Sequence, residues 1–279
     1  KVDLSPKESP YDDQKRVYAA VAGALIWHEL GTLGEDERGL GRFLEGTLRR
    51  LLAPHGMDIE DEGAAEVLEV QAFLQTLATT SIDSLSFHKA VQAFFRALLS
   101  QQERRVESLT RWLHGEEVGP EDMRDLRMIG VTEKISKNNA FKMLRSLCQT
   151  VRALGYTGLA LLFDEGDRML SIGNKAEKTA TDNLREVIDR CRDDLPGTLF
   201  MYAVPPDFLH TVVPKYPALQ QRVQAANYFS RSNPFSPQID MEKLDIPDTQ
   251  LLEEIAYRLL PIFEIAYSQE MNKDIQSQN

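Results

Sequence analysis

Gly158-Leu159-Ala160-Leu161-Leu162-Phe163-Asp164-Glu165 is an apolar run that stops abruptly at two adjacent carboxylates. The run up to Phe163 suits a strand buried on both faces of a parallel sheet. Its acids then fall at the carboxyl end of the strand, where open α/β sheets place their ligands. A second apolar run, Thr198-Leu199-Phe200-Met201-Tyr202-Ala203-Val204, is closed by Pro205-Pro206. Between the two runs, Leu184, Val187, Ile188 and Cys191 mark the buried side of a helix. Strand, helix, strand in that order predicts a right-handed parallel crossover and an α/β fold.

An apolar strand ending in Asp-Glu looks like the Walker B element of a P-loop ATPase. There the first acid helps hold Mg²⁺, usually through water, and the second orients the attacking water. Asp164 takes the first role on this reading and Glu165 the second. The alternative is structural, because buried strands often run into acidic turns. No G-x-x-x-x-G-K-[ST] stretch, the loop that cradles phosphates beside such a strand, occurs in the sequence. The chain also opens on Lys1-Val2-Asp3-Leu4, which resembles neither an initiation site nor a signal peptide and reads as the middle of a longer protein.

With 279 residues the chain has material for one large core or two modest ones. No apolar run approaches the length of a membrane span, so none is expected. The two cysteines, Cys148 and Cys191, sit at apolar helical positions, which argues against a disulfide framework and suits a reducing cytoplasm. The five histidines are scattered, so no zinc site is expected. A net charge of −11 argues against a protein that coats nucleic acid without sequence preference. Met123 to Arg152 nevertheless holds seven basic residues against two acids. Arg127, Lys134, Lys137 and Lys142 are therefore candidates for a surface facing DNA or an acidic partner. The competing readings are a solvated helix face or internal pairing with Gly56 to Glu69, which carries six acids and no base.

Lys1 to Ser5 reads as a strand end, and Asp12 or Asp13 as the cap of a helix burying Val17, Val21 and Leu25. Leu40, Leu44, Leu48 and Leu52 recur every fourth residue, Val67, Val70, Leu74 and Leu77 every third or fourth, and Phe87, Val91, Phe94, Phe95 and Leu98 continue the pattern. These stripes predict successive amphipathic helices, with Phe94, Phe95 and Trp112 in their core. A helix from Ser136 or Asn138 turns Phe141, Leu144, Cys148 and Val151 inward and ends at Gly155. Near the end of the chain, Leu252, Ile255, Leu259, Phe263 and Ala266 mark another helix, bent at Pro261. The expected division is an α/β start (1–34), a large helical insertion (35–128), an α/β core with the acid pair (129–232), and a connector with a C-terminal helical region (233–279).

Three segments in order, Trp112-Leu113-His114-Gly115-Glu116, Gly130-Val131-Thr132-Glu133-Lys134-Ile135 and Leu161-Leu162-Phe163-Asp164-Glu165-Gly166-Asp167-Arg168-Met169-Leu170, resemble the ATP-binding proteins of BREX phage-defence islands. The likeness continues through Asn183-Leu184-Arg185, Tyr202-Ala203-Val204-Pro205-Pro206-Asp207-Phe208 and Tyr216-Pro217-Ala218-Leu219-Gln220-Gln221-Arg222. The resemblance implies an AAA+-related P-loop core whose Walker A loop lies upstream of Lys1, with ATP and Mg²⁺ as cofactors. It further implies partners among other subunits of a defence complex, a homo-oligomer, and DNA. Arg222 follows a helix after the second core strand, the place of an arginine finger. Its planar, permanently charged fork would stabilise the phosphoryl group transferred in a neighbouring subunit. The sensor position after the second strand departs from the family pattern and falls to Tyr202 or Asp207. The implied function is an ATPase subunit of an anti-phage complex, against a non-hydrolysing switch or scaffold or a DNA-binding regulator; a catalytic Glu165 would be superfluous in a scaffold.

Overall fold

The computed structural model describes residues 2–3, 11–26, 38–164, 174–191, 195, 197–224, 229–230, 232–233, 236–241 and 247–267. The chain divides into two compact units, Lys1–Trp27 with Glu37–Leu219, and His28–Asp36 with Gln220–Asn279. The described residues are mostly helical, around a small parallel sheet.

The larger unit begins with β1 (Val2–Asp3) and α1 (Gln14–Ala24), whose first turn is capped by the Asp13 carboxylate accepting from the backbone N–H of Lys15 and Arg16. Val17, Tyr18 and Val21 are buried, and the Tyr18 hydroxyl donates to the Leu113 carbonyl at 2.5 Å. Five helices follow: α2 (Leu40–Leu52), α3 (Leu68–Thr79), α4 (Leu85–Leu99), α5 (Glu103–Leu113) and α6 (Pro120–Met128). The fourfold leucine stripe is the buried face of α2, and Phe94, Phe95 and Trp112 are core residues, as their spacing predicts. Ser84 caps α4 by accepting from Phe87 N–H, and its own N–H reaches the buried Ser146 hydroxyl.

Gln101 occupies the left-handed region at φ 53° just past α4, where glycine is the usual residue. Its N–H and that of Gln102 close the helix end on Leu98 and Ala97 carbonyls, and its side chain donates to the Glu60 carbonyl. The Cβ strain of about 1–2 kcal/mol exceeds the roughly 0.5 kcal/mol of one exposed hydrogen bond. Gln101→Gly is therefore expected to stabilise the protein by about 0.5–1 kcal/mol, read as a raised urea midpoint with an unchanged m-value.

After α6 the chain enters α7 (Ala140–Ala153), β2 (Leu159–Asp164), α8 (Asn174–Cys191) and β3 (Thr198–Tyr202). α7 starts later than Ser136 or Asn138 because the Asn139 carboxamide turns back to accept from Ser136 and closes a turn before the helix. Phe141 is only half-buried, and the inward face carries Met143, Leu144, Leu147, Cys148 and Val151. Gly155, at φ 86°, ends the helix.

The strands lie in the order β1-β2-β3, all parallel, with Leu159 opposite Thr198 and Phe163 opposite both Val2 and Tyr202. The expectation of a strand buried on both faces is corrected here. Leu161 and Phe163 are buried, whereas Leu162 is 46% exposed and its partner Met201 on β3 is 43% exposed. Among the described residues, helices and the Tyr11 ring cover one face and leave the other open, so alternate residues part company although all are apolar.

β3 runs into a five-residue π-helical turn, Phe208–Val212, then a short 3₁₀ turn, Val213–Lys215, and α9 (Pro217–Val223). In the smaller unit α10 (Asp248–Tyr267) continues through Pro261. The apolar stripe that marks α10 is not its buried face: Leu252, Ile255, Leu259 and Phe263 are exposed and Leu260 is buried. Helical spacing shows which residues share a face; burial also requires a surface to lie against.

Candidate functional site

Asp164 is placed by the way β2 is held at both ends. At its start, Tyr156 packs its ring on Phe43 at 4.9 Å, shares a hydroxyl contact with Thr47 at 3.0 Å, and lies under the Arg50 guanidinium at 4.4 Å. All three partners belong to α2. Arg152 donates to the carbonyls of Tyr156 and Thr157. Gly158 then passes Gly197 so closely that a Cβ at Gly158 would lie 2.6 Å from the Gly197 oxygen, where Leu159 N–H makes its first sheet bond at 2.9 Å.

At the other end, Phe163 stacks on Tyr202 at 4.7 Å, and Tyr11 meets both rings edge-on. The Tyr11 and Tyr202 hydroxyls are 2.6 Å apart in the interior, and Asn183 of α8 donates to the Tyr11 carbonyl at 2.8 Å. Burial pushes both phenols well above their ordinary pKa, so they remain neutral hydrogen-bonding groups. Of the two sensor candidates, Tyr202 hydrogen-bonds Tyr11 on the core side. Asp207, the other candidate, is exposed just before the π-helical turn. One further sheet bond, Ala203 N–H to the Phe163 carbonyl at 2.8 Å, carries the ladder to the last residue before the acids.

Asp164 is half-buried and pairs in backbone register with Asp3 of β1. It follows Phe163 and so falls on the face of Leu162, away from the aromatic core. Glu165 and Arg168 lie outside the described residues, while Arg185 is half-buried on α8. Arg222 is half-buried in the last turn of α9. Among the described residues no three or more His, Cys, Asp or Glu side chains form a direct metal-ligand set. A single strand-end carboxylate suits Mg²⁺ held through water, and Asp164 is the described residue that fits it.

The four basic candidates are distributed differently. Arg127 is exposed on α6, Lys134 and Lys137 are exposed in the turn before α7, and Lys142 is half-buried on α7. That turn is firmly held: the Ser86 hydroxyl accepts from the N–H groups of Thr132 and Glu133, and Trp112 donates to the Glu133 carbonyl. Lys137 pairs with Asp13 at 2.7 Å and Lys142 with Glu133 at 3.7 Å. Partial burial opposes the charge on Asp13, but the bonds from Lys137 and from Arg16 N–H outweigh it and hold the carboxyl below the usual carboxylate range. In the acidic segment, Asp58 and Glu60 pair with Arg49 instead of with this basic stretch. Arg127 and Lys134 form no ion pair among the described residues and present open charge.

The sequence had no signal for the Tyr11–Tyr202 pair, nor for a second tie in which Glu177 of α8 accepts from the Tyr216 hydroxyl at 3.0 Å and lies 3.4 Å from the Lys215 ammonium. The cysteines are free, and burial pushes the Cys148 thiol up to about 12 and the Cys191 thiol to about 11, too high for a nucleophile at neutral pH. A cleft of about 330 Å³ between α5 and α6, lined by Arg104, Arg105, Asp122 and Asp125 among others, contains none of the strand-end residues.

Among the described residues no helix is long and apolar enough to cross a membrane. No curated protein and no solved structure matches the chain. The family described as "BREX system ATP-binding protein BrxC/D" matches residues 1–279, the whole of the sequence. The chain belongs to the family of BREX system ATP-binding proteins.

Proposed function

We propose that this protein is an ATPase subunit of the phage-defence complex, with an AAA+-like P-loop core, and that Mg-ATP hydrolysis drives its action on DNA or partner proteins. The observation that carries the reading is the placement of Asp164 at the carboxyl end of the central parallel strand, with Glu165 next in the chain. Membership of an ATP-binding family supports the same reading. Asp164 would steady the hydrated Mg²⁺, Glu165 would orient the attacking water, and Arg222 would reach the γ-phosphate held by a neighbouring copy. Bound Mg²⁺ would neutralise charge developing on the transferred phosphoryl group.

The 279-residue polypeptide lacks a G-x-x-x-x-G-K-[ST] loop, the main source of phosphate affinity in such proteins. By itself it is expected to bind Mg-ATP weakly, and stoichiometrically within the assembled defence complex. Calorimetric titration of both tests the reading. Tight binding by the 279 residues alone would show that no such loop is needed, and absence of binding by the assembled complex would remove the ATPase.

DNA is proposed as the ligand of the open basic surface at Arg127 and Lys134. Replacing both with alanine should weaken duplex binding for all sequences and flatten the plot of log affinity against log salt by about 0.9 per lost phosphate contact. Stability should stay within about 0.5 kcal/mol, as for other exposed substitutions. Fluorescence anisotropy over a range of salt concentrations makes the measurement; an unchanged slope would take these residues off the DNA surface.

A further inference from the structure

α9 has seven residues, too few to hold a direction without anchors, and it carries Arg222 in its last turn. Its anchors are visible at its start. Leu219 is buried, Leu219 N–H bonds the Tyr216 carbonyl at 3.0 Å, and the Tyr216 side chain is tied to Glu177. Glu177 stands in the first turn of α8, with its side chain only 12% exposed. Its Oε1 faces both the Tyr216 hydroxyl and the Lys215 ammonium. A nearly buried carboxylate needs such partners, and the pair it has chosen are the two residues immediately before α9.

α8 is also held further along its length. Asn183 bonds the Tyr11 carbonyl, and the Tyr11 hydroxyl meets Tyr202 of β3. Leu184 and Val187 are buried beside it. α8 is the first described helix after the strand that ends in Asp164, and its first turn meets the two residues that precede the helix bearing Arg222. One rigid element thus has a fixed point at the sheet and a polar grip on α9.

We propose that Glu177 is a positioning residue for Arg222, gripping Tyr216 and Lys215 so that α9 starts at a fixed place and presents its arginine in a reactive orientation. The proposal rests on the reading of Arg222 as a finger acting in trans. Arg222 would touch the phosphoryl group; Glu177 would act only through α9. Small displacements of such a charge are costly, because a misplacement near 1 Å can lower turnover by roughly a hundredfold.

The test uses the protein assembled in its defence complex, with Mg-ATP as substrate. Tyr216→Phe and Glu177→Ala are each expected to lower kcat by roughly tenfold to a hundredfold with KM within about twofold, and to leave assembly by light scattering intact. The double variant should lose no more than the worse single, because both break one grip. In an Arg222→Ala background neither should have a further effect. Amide exchange across residues 213–223 should quicken in both single variants. Tyr216→Phe removes a single oxygen, which keeps the experiment decisive if Glu177→Ala folds poorly. Parental turnover in Tyr216→Phe, or a full additional loss in the Arg222→Ala background, overturns the positioning role while the finger stands. Parental turnover in Arg222→Ala overturns the finger, and the positioning role with it.

Discussion

Arg222→Ala is expected to lower ATP turnover of the assembled protein by roughly 10³-fold or more, the scale of arginine-finger removal in other phosphoryl-transfer systems. Nucleotide affinity and folding are expected to persist. A finger acts on charge that develops in the transition state, so its loss appears in kcat and leaves ground-state binding largely unchanged. Because the arginine would serve a neighbour's site, the loss should be evident only under conditions where copies assemble. Mixing Arg222→Ala subunits with Glu165→Gln subunits checks this directly. Each mixed interface can join an intact acid pair from one copy with an intact finger from the other, so partial recovery of turnover is expected. Confirmed assembly without recovery would exclude action in trans.

Glu165→Gln has the second-largest expected effect, a fall in turnover on the order of 10²- to 10³-fold with Mg-ATP binding retained. The amide keeps the size of the side chain but loses the negative charge and proton-accepting capacity that would align the attacking water. Asp164→Ala should behave differently, weakening binding in a Mg²⁺-dependent manner, because that carboxylate is assigned to the hydrated metal. Steady-state kinetics with a parallel binding titration separates the two patterns. Parental turnover in Glu165→Gln would remove the catalytic assignment and favour a nucleotide switch that does not hydrolyse.

Much of the local architecture was legible in the residues. Leu40, Leu44, Leu48 and Leu52 share a helical face by spacing alone, and that face is the buried side of α2. Asp13 has a short carboxylate in the right place to accept orphan N–H groups, and it caps α1. Gly155 supplies the left-handed turn that ends α7. The position of Asp164 was legible for a comparable reason: an apolar strand can be seen to end, and the first polar residue of the run closes it.

The spacing of apolar residues decided less than it first suggested wherever burial depended on a distant surface. Leu162 is as apolar as Leu161, but only Leu161 faces packed neighbours. Leu252 and Ile255 form a helical stripe, but the described surface covers Leu260 instead. The sequence by itself determined where helices and strands form, because caps, turn glycines and apolar periods act within a few residues of the backbone they shape. Tertiary structure alone decided that Tyr11 meets Tyr202 across 191 positions and that Glu177 grips Tyr216 across 39. The Tyr11 and Tyr202 hydroxyls find each other only when the parallel strands bring remote segments into one low-dielectric interior, where an unpaired polar group costs more than the ordering needed to pair it, whereas Tyr216 meets Glu177 in a part-buried contact between remote segments.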